Sequence, residues 1–233
     1  MGLRASGWNA DERVMAVAGV VCEGQSDFAI LSEVLNRLWP EINQVLLIQP
    51  ILDSVGHAQG ASGASGIKIW CTQHCQKLAD MIDPGAGPRL DLLVIAMDAD
   101  AAIEAGIEDP PVQASAYDAS RLCARIQRWL GRLVPEVLIV TPAMAIEAWI
   151  IAARYARPAN PESIARPAHY LVEKKVLALD SRPRRQHKVV KPPDRYRAFG
   201  VEVAGRWPRV VKRCAQARRF DRELDQVKER AET

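Results

Sequence analysis

The chain has 233 residues, of which 48% are hydrophobic and 25% charged. This composition excludes collagen-like and disordered classes and suffices for one well-buried core with an appended subdomain. No apolar run approaches the ~20 residues of a membrane helix, the longest being Val14 to Cys22. The net charge of +3 hides a division: residues 1–150 carry 10 Lys+Arg against 18 Asp+Glu, a net of −8, whereas residues 151–233 carry 21 against 10, a net of +11. An acidic part followed by a basic part points to a polyanionic partner, most simply nucleic acid.

Residues 1–13 lack periodicity and read as a tail. Met1 to Ser6 match the Met-Gly-x-x-x-Ser myristoylation pattern, which is too loose to assign a modification. With neither a basic start followed by an apolar core nor a cleavage site, no signal peptide is expected, and the location is expected to be cytoplasmic. The five cysteines lie in apolar periodic segments, as reduced core thiols do. Cys71, His74 and Cys75 lack the second ligand pair that a structural zinc needs.

Val14 to Cys22 is a Val-rich run bounded by Glu23-Gly24, the pattern of a first strand buried on both faces. Ser26 is placed to cap the following helix, in which Phe28, Ile30, Leu31, Val34, Leu35 and Leu38 recur at helical spacing before Pro40. Val45 to Leu52 supplies a second strand, with Pro50 near its end. The stretch from His57 to Gly66 reads as an active-site loop or as a linker, two readings that composition does not separate. Ile67, Trp70, Cys71, His74, Leu78 and Met81 predict a second crossover helix. Leu90 to Met97 is a third buried strand running into Asp98-Ala99-Asp100.

Beyond an irregular connection, Leu122, Ile126, Trp129, Leu130 and Leu133 mark a helix, Val137 to Val140 a fourth strand, and Ala143 to Tyr155 a helix carrying Glu147. From Pro158 the pattern breaks into short helices, the last over roughly 210–229. Alternating strands and helices predict an α/β fold, a parallel sheet of about four strands with right-handed crossovers. A core over 14–155 is followed by a basic, mainly helical subdomain over 156–233.

In open parallel sheets the ligand crevice lies beyond the carboxyl ends of the strands, where the strand order reverses. Glu23 follows the first strand, and Asp98 and Asp100 follow the third, so the three converge if those strands are neighbours. Asp27, one helical turn beyond Glu23, can join them. Clustered carboxylates repel one another unless a divalent cation neutralises them, and hard oxygen donors suit Mg²⁺ or Mn²⁺. Plainer roles compete: Asp27 can complement the helix macrodipole, Asp98 can cap a turn, and Glu147 either needs a buried partner or faces water. Arg182, Arg184, Arg185, Lys188, Lys191, Arg195 and Arg197 form either a phosphate-binding run or a solvated basic surface.

The run Val21-Cys22-Glu23-Gly24-Gln25-Ser26-Asp27, followed by Asp98-Ala99-Asp100, resembles a Toprim domain, the metal-binding module of topoisomerases, bacterial primases and overcoming-lysogenization-defect nucleases. More closely it is similar to small Toprim-like proteins of the domain-of-unknown-function 4276 group, in which a Glu-Ala-Trp motif follows the fourth strand, as Glu147-Ala148-Trp149 does here. The resemblance spans roughly residues 14–155, with a weaker echo near Lys188, Tyr196 and the Cys214 to Phe220 stretch. It implies a Mg²⁺-dependent, phosphodiester-acting site, often a nuclease of bacterial anti-phage defence. One departure is Asp27, a methylene shorter than the Glu often found there.

The leading expectation is therefore a metal-dependent nuclease. Glu23, Asp98, Asp100 and Glu147 carry catalysis, Glu23, Asp27, Asp98 and Asp100 ligate the metal, and Arg184, Arg185, Lys188, Lys191 and Arg195 bind the nucleic-acid backbone. RNA and DNA are both open, because phosphate contacts carry no sequence information. The alternatives are a non-catalytic subunit acting with an ATPase partner, since the chain has no phosphate-binding G-x4-G-K-[ST] loop, and, last, an Asp-dependent phosphatase. Homo-oligomerisation is open.

Overall fold

The computed structural model describes residues 16–85, 89–113, 117–132, 134–182 and 188–231. Four strands, β1 (Ala16–Val21), β2 (Ile42–Gln49), β3 (Leu92–Ala96) and β4 (Val137–Val140), form a parallel sheet in the order β2-β1-β3-β4. Period-two alternation sends Ala18, Val20, Leu92, Val94 and Leu138 to one core, and Val21, Leu93, Ile95 and Ile139 to the other. Burial of both faces is why these strands read as unbroken apolar runs.

The first face is covered by α1 (Gln25–Leu38), α6 (Glu147–Arg154), α8 (Pro193–Gly205), α9 (Trp207–Arg213) and α10 (Ala215–Ala231). The second is covered by α2 (Gly63–His74), α3 (Leu78–Ile82), α4 (Ala99–Glu104) and α5 (Ala119–Leu130). Between α6 and α8 lie α7 (Pro167–Glu173) and a hairpin of β5 (Ala178–Leu179) and β6 (Val189–Val190). The basic C-terminal segment builds on the same core as the sheet, since Tyr196, Phe199, Val203, Trp207 and Phe220 share one cluster with Ile30, Leu31 and Val94. Gly200 permits this docking: a Cβ there would lie 2.6 Å from the Ala29 carbonyl oxygen of α1. No helix among the described residues is long and apolar enough to cross a membrane.

Several boundaries differ from the sequence expectation. The N-cap of α1 is Gly24, not Ser26, whose hydroxyl lies 3.5 Å from Asp27 Oδ1 inside the first turn. The glycine-rich stretch is partly helical, because α2 begins at Gly63. Gly66 is pressed against the Ala61 carbonyl, 2.6 Å from where a Cβ would stand. The apolar stripe over 67–81 is divided between α2 and α3. The helix expected from Ala143 begins at Glu147, because the chain first turns through Met144 at φ 61°.

The expected last helix is broken at Cys214, which is extended (φ −118°, ψ 117°). There the buried Glu162 carboxylate accepts the Ala215 and Gln216 N–H groups at 2.7 and 3.0 Å, capping α10 from a distant segment. Glu162→Ala is expected to cost about 1–2 kcal/mol, a fall in melting temperature of roughly 2–8 °C for a chain of this size. Glu162→Gln, which keeps one acceptor, is expected to lose less; thermal melts of both variants check this.

Candidate functional site

The strand order makes β1 and β3 the switch point of the sheet, the position at which open parallel sheets bind ligands. Val21 of β1 pairs with Ile95 of β3, so Glu23 and Asp98 leave neighbouring strand ends. Their contact is direct: the Asp98 main-chain N–H donates to Glu23 Oε1 at 2.7 Å. The Asp98 side chain is 6% exposed, and both its oxygens accept the Ile146 N–H at 3.2 Å. Asp98 therefore ties the end of β3 to the turn after β4 and makes no side-chain cap on α4.

Asp100, in the first turn of α4, accepts the Ala101 N–H at 2.7 Å. Asp27 is buried in the first turn of α1. Glu147 opens α6 at 0% exposure, with Oε1 accepting the Tyr196 hydroxyl at 2.6 Å and lying 2.7 Å from the Lys191 ammonium. Glu147 Oε2 is buried with no hydrogen-bond partner. A buried acid needs such partners, so Glu147 takes the buried role rather than facing water.

The electrostatics bind these groups into one system. Burial first, then repulsion from neighbouring carboxylates, raises Glu23 and Asp98 well above the usual carboxylate range. Burial, with Glu147 adding repulsion and Lys191 opposing it, pushes Asp27 up to about 6 and Asp100 to about 7. For Glu147 burial acts upward too, but Lys191 and the Tyr196 hydroxyl outweigh it and hold the group below its ordinary value. Burial would lower Lys191, yet the surrounding carboxylates, Glu147 foremost, keep it firmly protonated.

The same partner makes a prediction. Tyr196→Phe removes the hydroxyl hydrogen bond from a charged, buried acceptor and is expected to cost about 1–3 kcal/mol. A lowered urea midpoint at unchanged slope would show it.

Among the described residues, no three His, Cys, Asp or Glu side chains are close enough to enclose an ion together. Mg²⁺ does not require that, because it is commonly held by one or two carboxylates, with water and substrate phosphate completing the octahedron. The donors fit such an ion: they are all hard oxygens, burial and neighbouring carboxylates raise the proton affinity of Glu23 and Asp98, and Glu147 Oε2 is left without a hydrogen-bond partner.

Glu23, Asp98 and Asp100 open into a cavity of about 960 Å³, which Arg166, Lys188 and Lys191 also line. Asp27 and Glu147 are not among its lining residues. The glycine-rich stretch is tied down beside the site without lining the cavity. Gln25 Nε2 donates to the Gly56 carbonyl at 2.6 Å, Gln49 Nε2 to the Ala61 carbonyl at 2.8 Å, and Gly63 N–H to the Glu23 carbonyl at 3.2 Å.

Among its described residues the basic run is divided. Arg184 and Arg185 lie outside the described residues. Arg182 pairs with Asp180 at 2.5 Å. Lys191, 37% exposed, turns its ammonium into the carboxylate site. Lys188 is exposed at the cavity, and Arg195 lies on the exposed side of α8 with its guanidinium 6.0 Å from the Phe199 ring centroid. The sequence gives Tyr196 only a place in the weaker echo of the resemblance and gives Arg166 no role; for Tyr196 the available signal is a hydroxyl in the apolar stripe of α8, matching the need of a buried Glu147.

Fold and site together define an α/β protein with a carboxylate crevice at the switch point of a parallel sheet. No protein-family model matches the chain, and neither a curated protein nor a solved structure is significantly similar to it.

Proposed function

We propose that the chain is a divalent-cation-dependent nuclease of Toprim-like type, acting on RNA or DNA phosphodiesters, with anti-phage defence as the setting suggested by the sequence resemblance. The observation that carries this reading is the convergence of Glu23, Asp98 and Asp100 at the β1/β3 switch point, in one cavity with Arg166, Lys188 and Lys191. Carboxylates beside cations in a single cleft match what phosphodiester hydrolysis needs, an oxygen site for Mg²⁺ or Mn²⁺ and positive charge for phosphate.

One or two of Glu23, Asp98 and Asp100 would hold the cation, water and substrate phosphate completing its shell, with Asp27 and Glu147 behind them. Bound there, the cation would polarise the phosphate and activate water for in-line attack. The chain's own residues prepare that chemistry. The Asp98 N–H orients Glu23, and the Ile146 N–H orients Asp98. Tyr196 and Lys191 fix Glu147, and the paired Lys191 keeps a positive charge beside the crevice at neutral pH.

The test is cleavage of labelled tRNA, single-stranded RNA, plasmid and single-stranded DNA with Mg²⁺ or Mn²⁺, comparing wild type with Asp98→Asn. Metal-dependent cutting lost in the variant supports the reading, and equal cutting by both defeats it.

A further inference from the structure

The cavity has more in it than the carboxylate end. Arg166, at the N-cap of α7, and Lys188, just before β6, line it from the C-terminal segment, and both side chains are exposed. Neither makes an ion pair among the described residues, unlike Arg125, Arg154, Arg182 and Arg219, whose charges are met by acids. Another part of the lining is apolar: Ile103, Pro110, Pro111, Val112 and Met144. Val112 is 100% exposed, a branched apolar side chain held wholly in water at the cavity lining. Unpaired cations, an apolar surface and recessed acids in one space form a chemically divided site rather than a uniformly charged surface.

Resting on the nuclease reading, we infer that this cavity takes an unpaired nucleic-acid strand, with Arg166 and Lys188 holding backbone phosphates and the Ile103, Pro110 to Val112 and Met144 surface receiving base faces. Size argues for this. About 960 Å³ is at the upper end of concave ligand sites, which run to roughly 1,000 Å³. That volume suits a short run of nucleotides, whereas a paired strand would have to bring its partner strand in with it.

Recession argues the same way. Asp98 is only 6% exposed at the strand ends, so a phosphate must enter the cavity to approach it, and only a strand free of its partner can bend in with its bases. Charge argues last. Glu104 lines the cavity along with Glu23, Asp98 and Asp100, so the backbone is repelled unless the acids are neutralised, and Arg166 and Lys188 supply the positive charge that anchors its phosphates. Single-strand sites elsewhere combine the same two elements, a cationic track and surfaces on which bases stack.

The experiment measures binding apart from cleavage. Fluorescein-labelled single-stranded DNA and RNA oligonucleotides, and a blunt DNA duplex of the same sequence, are titrated by anisotropy with Ca²⁺ in place of Mg²⁺, using the full chain and its Arg166→Ala, Lys188→Ala and Val112→Asp variants. The single strands are expected to bind at least about tenfold more tightly than the duplex, the equivalent of about one base stack. Each cation variant is expected to weaken binding and to flatten the dependence of log affinity on log salt by about 0.7, the value of one single-strand phosphate contact. Val112→Asp is expected to weaken binding as well. All three substitutions are at exposed positions, and circular dichroism of each variant checks that it folds.

Duplex binding equal to or tighter than single-strand binding overturns the inference, as does wild-type affinity in both cation variants. Selective single-strand binding without any cleavage in Mg²⁺ or Mn²⁺ upholds the cavity assignment and defeats the nuclease reading. Cleavage without single-strand preference does the reverse.

Discussion

Asp98→Asn is expected to abolish cleavage, by at least about 10³-fold, while leaving the protein folded. The substitution is chosen for its local consequences. Asp98 accepts the Ile146 N–H with its carboxylate, and the Asn carbonyl oxygen can keep that bond, whereas Ala would orphan a buried donor at a cost of about 1–3 kcal/mol. The bond from the Asp98 main chain to Glu23 is untouched. What is lost is one carboxylate at 6% exposure between the ends of β1 and β3, whose charge burial first, and then the surrounding acids, already disfavour.

Removing that charge relieves repulsion, so the variant is expected to melt at or above the wild-type temperature when divalent cations are absent. Activity and stability then move in opposite directions, which a merely structural role for Asp98 would not produce. Activity retained in full would defeat the assignment of the site, and loss of activity accompanied by a lowered melting temperature would point to misfolding instead.

The second large effect is in the response of stability to pH and to divalent ions. Asp27 and Asp100 are raised from 3.8 to about 6 and about 7, mainly by burial, and Glu23 and Asp98 are raised as well. Between about pH 4 and pH 7 the folded chain therefore holds protons that the unfolded chain has released, so without a divalent ion stability falls as pH rises through that window.

On the proposed cation binding, Mg²⁺ or Mn²⁺ would compete with those protons, and its stabilisation would grow as they leave. At a hundred times its dissociation constant a bound ion contributes about 2.7 kcal/mol, a rise of roughly 5–10 °C for a chain of this length. Thermal melts at pH 5 and pH 8, with EDTA or with Mg²⁺, are expected to show the lowest melting temperature at pH 8 in EDTA and the largest rescue there. A melting temperature indifferent to Mg²⁺ at pH 8 would contradict cation binding by these acids.

The strands were legible because burial on both faces leaves a signature confined to a few consecutive residues. The runs at Val14 to Cys22, Leu90 to Met97 and Val137 to Val140 contain β1, β3 and β4. The places where chemistry can sit were legible for the same reason, since Glu23, Asp98 and Asp100 are the first acids after two such runs. Helix breaks were not legible, because an apolar stripe continues in register across a turn: α2 passes to α3, and α9 to α10, without a change of pattern. The cap on α10 was invisible because Glu162 reaches it from 53 residues away.

By itself, then, the sequence determined an α/β fold, the apolar strands and the acids at their ends, all set by local alternation of hydrophobic and polar residues. Only the tertiary structure decided that β1 lies beside β3, bringing Glu23 within 2.7 Å of the Asp98 amide. It alone decided that Lys191 serves the carboxylates rather than a surface stripe, that Tyr196 completes Glu147, and that Arg166 shares the cavity. The physical reason is sequence separation. Charge and hydrogen-bond partners are chosen by proximity in the packed core, and here that proximity depends on α8 closing onto α1 through Gly200, a contact that no local propensity encodes.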